Sequence, residues 1–279
     1  MKLFPFLGLL LPLLLTGCAQ FTLRNAAEES FVLDSDATGY SYEITVLLPP
    51  DYDPARTYPS VYLIDGHWHY LYVASDAKRL MQRGDIEDII LVGIAYAGIP
   101  NNTLGGYSRI SDLRIDDLTA VKNVEEAERG GKALAFRTFL AQDLIPEIEG
   151  RYATGPQGRT LLGHSLGGFF GIWEMLTFPD SSLFAQIHAG SPALWWADGY
   201  LLAEEEQIHA AGQALPFDFL TDMGELEGVT WNAFFDEFEA RVEAHAHPGL
   251  QATFRRYPRG HSHNAETGFK AALSHFFGR

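Results

Sequence analysis

The chain has 279 residues, 47% hydrophobic and 20% charged, enough apolar material for the buried core of one large α/β unit or two small ones. A formal net charge of −16 and a pI of about 4.9 leave no basic stripe to neutralise phosphates, which excludes a nucleic-acid partner and points to a self-repelling acidic surface. Cys18 is the only cysteine, so no intramolecular disulfide can form.

Lys2 precedes an apolar run from Leu3 to Leu15, too short to span a bilayer and shaped like a signal-peptide core over residues 1–17. It ends in Leu15-Thr16-Gly17-Cys18, which resembles the bacterial lipoprotein lipobox. That resemblance implies cleavage before Cys18, a lipid on its sulfur and, with Ala19 rather than Asp next, an outer-membrane anchor facing the periplasm. Residues 18–40, mixed in polarity and without a period, are expected to be a tether leading into one folded domain over 41–279.

Strands are expected at Ser41–Leu48, closed by Pro49-Pro50, and at Ser60–Ile64, stopping at Asp65-Gly66. A helix follows from about Leu71 to Arg83. Asp88–Ala95 is a continuous β-branched apolar run, the pattern of a central strand buried on both faces. Residues 97–131 break the rhythm with Gly105-Gly106, Gly130-Gly131 and several acids, and are expected to be an insertion without sustained period. From Lys132 a helical period returns through Phe136, Leu140 and Leu144, and Pro146 should kink or restart it. Strands at Arg159–Leu162, Phe184–His188, Phe217–Thr221 and Gln251–Tyr257 then alternate with helices at Phe169–Thr177, Trp231–His245 and Ala265–Phe277. The alternation predicts an α/β fold whose mainly parallel central sheet carries helices on both faces.

Between the strand at 159–162 and the helix after it stands Gly163-His164-Ser165-Leu166-Gly167-Gly168. A serine on such a turn is exposed, backed by amide donors and close to the positive end of a helix dipole. G-x-S-x-G alone arises by chance in roughly one of eight proteins of this length and composition, so its context has to carry the reading. A serine hydroxyl needs a base in reach, most often histidine, and an acid that fixes the histidine tautomer. In the α/β-hydrolase fold these follow in the order serine, acid, histidine, each after a strand. Asp222-Met223-Gly224-Glu225-Leu226-Glu227 follows the strand at 217–221, and Pro258-Arg259-Gly260-His261-Ser262-His263 follows the last strand.

At this point the chain resembles the esterase D-like family of the α/β-hydrolase superfamily, which includes siderophore esterases and acyl esterases. The likeness runs from about Tyr42 to the C-terminus. It rests on Tyr58-Pro59 with Tyr62-Leu63-Ile64-Asp65-Gly66, on Phe139-Leu140 with Leu144-Ile145-Pro146-Glu147-Ile148 and Tyr152, and on Arg159 with the serine turn. Ser191-Pro192 with Trp195-Trp196, and Gly260-His261, complete it. The resemblance implies Ser165 as nucleophile and His261 as base, with His263 the competing position. It implies Glu227 as acid, three residues after Gly224, with Asp222 and Glu225 close enough to compete. It places the oxyanion amides at Leu166 and His67, and Arg114 and Asp117 near a pocket rim, where a structural ion pair is the alternative.

Trp68, Trp195 and Trp196 flank these loops and are expected to wall a substrate pocket. His67-Trp68-His69, His245-Ala246-His247 and His261-Ser262-His263 are three H-x-H pairs. Without cysteine partners or H-E-x-x-H they do not make a catalytic metal site, and no metal or cofactor is expected. The reading is a serine esterase acting on small-molecule carboxylic esters, a catecholate siderophore trilactone being the most specific substrate. Acyl or carbohydrate esters, or a non-catalytic envelope-anchored binding role, are the alternatives. Oligomeric state is not legible.

Overall fold

The computed structural model describes residues 26–100, 102–123, 129–155 and 158–279; the signal-like run and Cys18 lie outside them. The described chain opens with an antiparallel pair, β1 (Glu28–Ser35) and β2 (Tyr40–Leu47). β3 (Ser60–Leu63), α1 (Gly66–Arg83), β4 (Ile90–Tyr96) and α2 (Leu104–Leu118) follow. A small pair, β5 (Lys122–Asn123) and β6 (Arg129–Gly130), precedes α3 (Ala133–Phe139), a π-helical turn (Leu140–Leu144) and α4 (Ile145–Arg151). The second half alternates strictly: β7 (Arg159–His164), α5 (Leu166–Thr177), β8 (Gln186–Gly190), α6 (Tyr200–Ala210), β9 (Asp218–Gly224), α7 (Val229–His245), β10 (Gln251–Tyr257) and α8 (His261–Phe277).

The central sheet runs β1-β2-β4-β3-β7-β8-β9-β10. β2 is antiparallel to both neighbours, and every pairing from β4 across to β10 is parallel. Side chains alternate across it with the strand period of two. Val61 and Leu63 of β3 point into one layer with Val73, Ala77, Phe269 and Leu273 of α1 and α8; Tyr62 joins the opposite layer with Phe136, Phe139, Phe170 and Ile172. α5 is buried from Leu166 to Leu176, as a helix apolar on all sides must be. The expected α/β architecture is the one found. Among the described residues no helix is long and apolar enough to cross a membrane.

The differences have local causes. Residues 28–35, read as tether, form β1, paired along its whole length with β2; as an edge strand with one face in solvent it carries only a short apolar alternation, Phe31 and Leu33. α1 starts at Gly66 rather than Leu71 because Asp65 turns left-handed (φ 59°) and its carbonyl accepts the amides of Trp68 and His69. The stretch 97–131 contains α2, whose N-cap Thr103 accepts the Gly106 amide at 3.0 Å and whose Ile110, Leu113 and Leu118 are buried. Two poor helix formers at its start and an aspartate at the core position 117 hid that period. Pro146 has no amide for the carbonyl four residues back. The chain widens ahead of it into the π turn, where the Ile145 amide bonds to Leu140, and α4 restarts with Pro146 in its first turn.

Candidate active site

Ser165 joins β7 to α5 at φ 60°, ψ −117°, a conformation that costs a non-glycine residue about 1–3 kcal/mol and persists only where the surroundings enforce it. Here its amide donates to Gly190 at 2.9 Å, and its carbonyl accepts from Phe169 at 2.9 Å and Ala193 at 3.1 Å. The reversal folds residue 163 onto residue 167, so a Cβ on Gly163 would strike the Gly167 carbonyl. This is why a glycine stands at 163. Leu166 is the first residue of α5, so its amide has no acceptor within the helix and projects from the N-terminal end beside Ser165. His67 is the second residue of α1, its amide likewise in a helix's first turn. Gly66 permits a close approach of backbones: a Cβ there would stand 2.9 Å from the Ile94 amide of β4.

The loops after β9 and β10 are joined to each other. Glu225 donates its amide to Tyr257 at 2.8 Å and Leu226 to Arg259 at 3.0 Å. That pairing brings Glu227 Oε2 to 2.6 Å from His261 Nδ1. The Glu227 carboxylate is wholly buried while His261 is 29% exposed, so the acid is sealed behind a ring that reaches solvent. Its other oxygen, Oε1, accepts from the Gly224 amide at 2.8 Å and from the Ser191 hydroxyl. Asn264 donates to Ser191 at 2.8 Å and to Asp222 Oδ1 at 2.6 Å, and Asp222 Oδ2 meets His188 at 2.7 Å. Asp222 is thus turned away from His261 into a buried network, and Glu225 is exposed. His263 faces a separate open cleft of about 540 Å³ with Arg259, Glu266 and Lys270, to which Ser165 contributes nothing.

Ser165 and His261 line one cavity of about 390 Å³ with Trp68, His69, Tyr72, Tyr107, Ser111, Arg114 and His164. The His261 ring lies against His164 at 4.5 Å and edge-on to Trp231 at 4.8 Å. His164 is buried, and desolvation, then repulsion from His261, His69, His188 and Arg114, pushes its imidazole well below the usual range. Burial brings His69 down to about 4, the attraction of Asp65 only partly opposing it. Both stay neutral at pH 7, so a proton arriving on His261 meets no like charge in its neighbours.

Arg114 of α2 forks onto Asp65, Nε to Oδ1 at 3.0 Å and Nη2 to Oδ2 at 2.6 Å, and lies over the Trp68 ring at 5.2 Å. An ion pair between Arg114 and Asp117 is therefore not formed. Asp117 is fully buried and accepts both the Tyr42 and Tyr96 hydroxyls on Oδ2, at 2.6 and 2.9 Å. Desolvation raises its carboxyl to about 7 despite those two hydrogen bonds.

The three tryptophans separate. Trp68 lines the cavity. Trp195 stacks on Trp231 at 5.8 Å and so stands behind the ring that touches His261. Trp196 does not wall the pocket: it is 1% exposed, in the core, and its Nε1 donates to the Val121 carbonyl at 3.0 Å. Sequence reasoning also missed Tyr107 and Ser111, which sit on the unrecognised α2, and Asn264, whose only signal was a polar residue on the apolar face of α8.

This strand order, with a strained serine between its central strand and buried helix, is that of the α/β-hydrolases. The chain belongs to the esterase family described as "Putative esterase", whose model matches residues 35–275, and it is a carboxylic ester hydrolase. It is 28% identical over 229 residues to ferri-bacillibactin esterase BesA of Bacillus subtilis (strain 168), spanning 77% of this chain and 76% of that one. In three dimensions it is similar to the BES protein from Bacillus cereus (TM-score 0.77, 23% identity, 90% of this chain and 94% of that one). It is also similar to siderophore hydrolase EstB from Aspergillus nidulans (TM-score 0.76, 20% identity, 90% and 95%).

Proposed function

We propose that the chain is a serine esterase in which Ser165 attacks the ester carbonyl, His261 serves as base and then acid, and Glu227 holds His261 in the productive tautomer. The observation that carries the reading is the 2.6 Å contact between buried Glu227 and His261, whose ring opens onto the same cavity as Ser165. With Nδ1–H given to Glu227, Nε2 is left to take the serine proton. The carbonyl oxygen gathers negative charge as Ser165 Oγ bonds to carbon, and the amides of Leu166 and His67 stabilise it. Return of the proton to the alkoxide expels the alcohol and leaves an acyl-serine. Water, deprotonated by His261, then releases the acid.

The substrate is a catecholate siderophore ester. Trp68, Tyr72 and Tyr107 give the cavity aromatic walls suited to a flat ring. Its volume of about 390 Å³ falls within the size range of small-molecule sites. The names of the relatives, a ferri-bacillibactin esterase and a siderophore hydrolase, favour the same class. The lipobox-like Leu15-Thr16-Gly17-Cys18 supports anchoring of this activity to the bacterial envelope, on the periplasmic face of the outer membrane, through a lipid on Cys18. Cys18→Ser should move the protein from the membrane to the soluble fraction; unchanged partition refutes the anchor.

Wild type and Ser165→Ala are compared on p-nitrophenyl butyrate and a catecholate trilactone. Loss of at least a thousandfold in kcat on both supports the reading. Retained activity in Ser165→Ala overturns the nucleophile. Cleavage of the butyrate with the trilactone untouched overturns the substrate class alone.

A further inference from the structure

Of the three H-x-H pairs in the sequence, His245-Ala246-His247 converges on a third donor far from the serine. His245 ends α7, and Ala246 takes φ 45°, ψ 54°, the left-handed position that glycine usually fills after a helix. This reversal turns both imidazoles onto one carboxylate. Glu205 Oε1, from the middle of α6, lies 2.7 Å from His245 Nδ1 and 2.6 Å from His247 Nε2. Glu205 is fully buried and the His247 side chain 1% exposed, while Glu205 Oε2 has no hydrogen-bond partner. His209, one helical turn after Glu205, lays its ring parallel on His245 at 3.7 Å.

A carboxylate buried in this way needs compensating positive charge. Among the described residues no arginine or lysine is paired with Glu205. The donor atoms of Glu205, His245 and His247 all lie within 4.8 Å of one another, the one such group among the described residues. A tetrahedral zinc ion with bonds of about 2.0–2.1 Å sets its ligands roughly 3.3 Å apart, so each imidazole nitrogen would withdraw from Oε1 by roughly 0.6 Å to admit one. Two imidazoles and one carboxylate suit a borderline divalent ion such as Zn²⁺ or Ni²⁺.

We propose that Glu205, His245 and His247 form a binding site for one divalent transition-metal ion, with His209 or water at the fourth position. Coordination through Nδ1 shifts the His245 proton to Nε2, where Glu206 Oε2 stands at 4.0 Å to receive it as an outer hydrogen-bond partner. The role is structural: the ion clamps α6 to the end of α7 and the loop into β10. From Trp231, beside His261, to His245 is about 21 Å along the helix axis, so the ion takes no part in ester cleavage.

The test is equilibrium dialysis of tag-free, chelator-stripped protein against ZnCl₂, with cobalt(II) absorption as a second readout. One Zn²⁺ per chain is expected, with a tetrahedral-intensity cobalt spectrum free of thiolate charge transfer. His245→Ala with His247→Ala should abolish it, with p-nitrophenyl butyrate hydrolysis retained. Because those substitutions disturb a packed loop, Glu205→Gln, which keeps the shape and removes the charge, is the second variant and should weaken binding at least tenfold. Fewer than one ion per wild-type chain, equal zinc binding by the double variant, or unchanged affinity in Glu205→Gln overturns the proposal.

Discussion

Glu227→Gln tests the assignment of acid and base most directly, because the structure dictates how the new amide must sit. Oε1 accepts from the Gly224 amide, which can only donate, at 2.8 Å. The glutamine oxygen must keep that place, and its NH₂ then occupies the Oε2 position 2.6 Å from His261 Nδ1. Two donors cannot face each other, so Nδ1 becomes the acceptor and the imidazole proton moves to Nε2, the atom meant to take the serine proton. The analogous acid-to-amide change in a serine triad lowers kcat about 10⁴-fold. That corresponds to about 5 kcal/mol of transition-state stabilisation. The expected result on p-nitrophenyl butyrate is a fall of 10³–10⁴ in kcat with KM and thermal midpoint little changed. Asp222→Asn, at the competing carboxylate, should stay within about tenfold of wild-type kcat, since Asp222 answers to His188 and Asn264. A Glu227→Gln enzyme within tenfold of wild type, or an equal collapse in Asp222→Asn, refutes the reasoning.

Arg114→Ala leaves Asp65 buried without its partner and should cost about 3–5 kcal/mol in urea unfolding at pH 7, with Arg114→Lys recovering only part because the fork is lost. Burial alone would raise the Asp65 carboxyl, but Arg114 outweighs it and holds it below 3.8; the gap between wild type and variant therefore opens as pH rises through the wild-type folded value, is full only above the raised value that burial gives the carboxyl in the variant, and closes in acid. Asp117 has the opposite sign. Its folded carboxyl is held at about 7 against 3.8, so the native state keeps a proton that the unfolded chain releases. Stability should fall by roughly 4 kcal/mol between pH 4 and 7, at about 1.4 kcal/mol per unit, and Asp117→Asn should flatten that slope. Trp68→Ala should raise KM severalfold for aromatic esters, whereas Trp196→Ala should leave KM alone and cost about 3–5 kcal/mol of stability.

Much of the fold was legible because β4 and α5 carry near-continuous apolar runs whose length and turns leave little choice. The elbow was legible in part for a steric reason: the close approach of the Gly167 carbonyl demands a glycine at 163. Spacing alone narrowed the acid and base to two loops, and within them Glu227 and His261 rested on the family resemblance. Glu225, Glu227 and Asp222 are equivalent in sequence, and only the cross-loop bonds to Tyr257 and Arg259 decide which carboxylate turns inward. Trp196 was misplaced since a tryptophan beside a functional loop has the same sequence signature whether its indole faces a cavity or bonds to a buried carbonyl such as Val121. β1 escaped because an edge strand needs only the short alternation of Phe31 and Leu33, and α2 because its place is fixed by a partner distant in sequence, Asp65 through Arg114.

The two walls of the cavity have different origins. His164 and Ser165 end and follow β7 and His261 opens α8 just after β10, all tied to the parallel sheet, while Tyr107, Ser111 and Arg114 come from a single helix laid across the opening. Bond-breaking parts and selecting parts are thus modular, and exchanging residues of α2 can retune the menu of substrates while the elbow stays intact. One position is not free to drift in such an exchange. Arg114 fastens the helix to Asp65 and also reaches the His164 carbonyl at 3.5 Å, next to the nucleophile. A grafted helix that keeps this arginine brings a new rim to an old engine; one that loses it unfastens both.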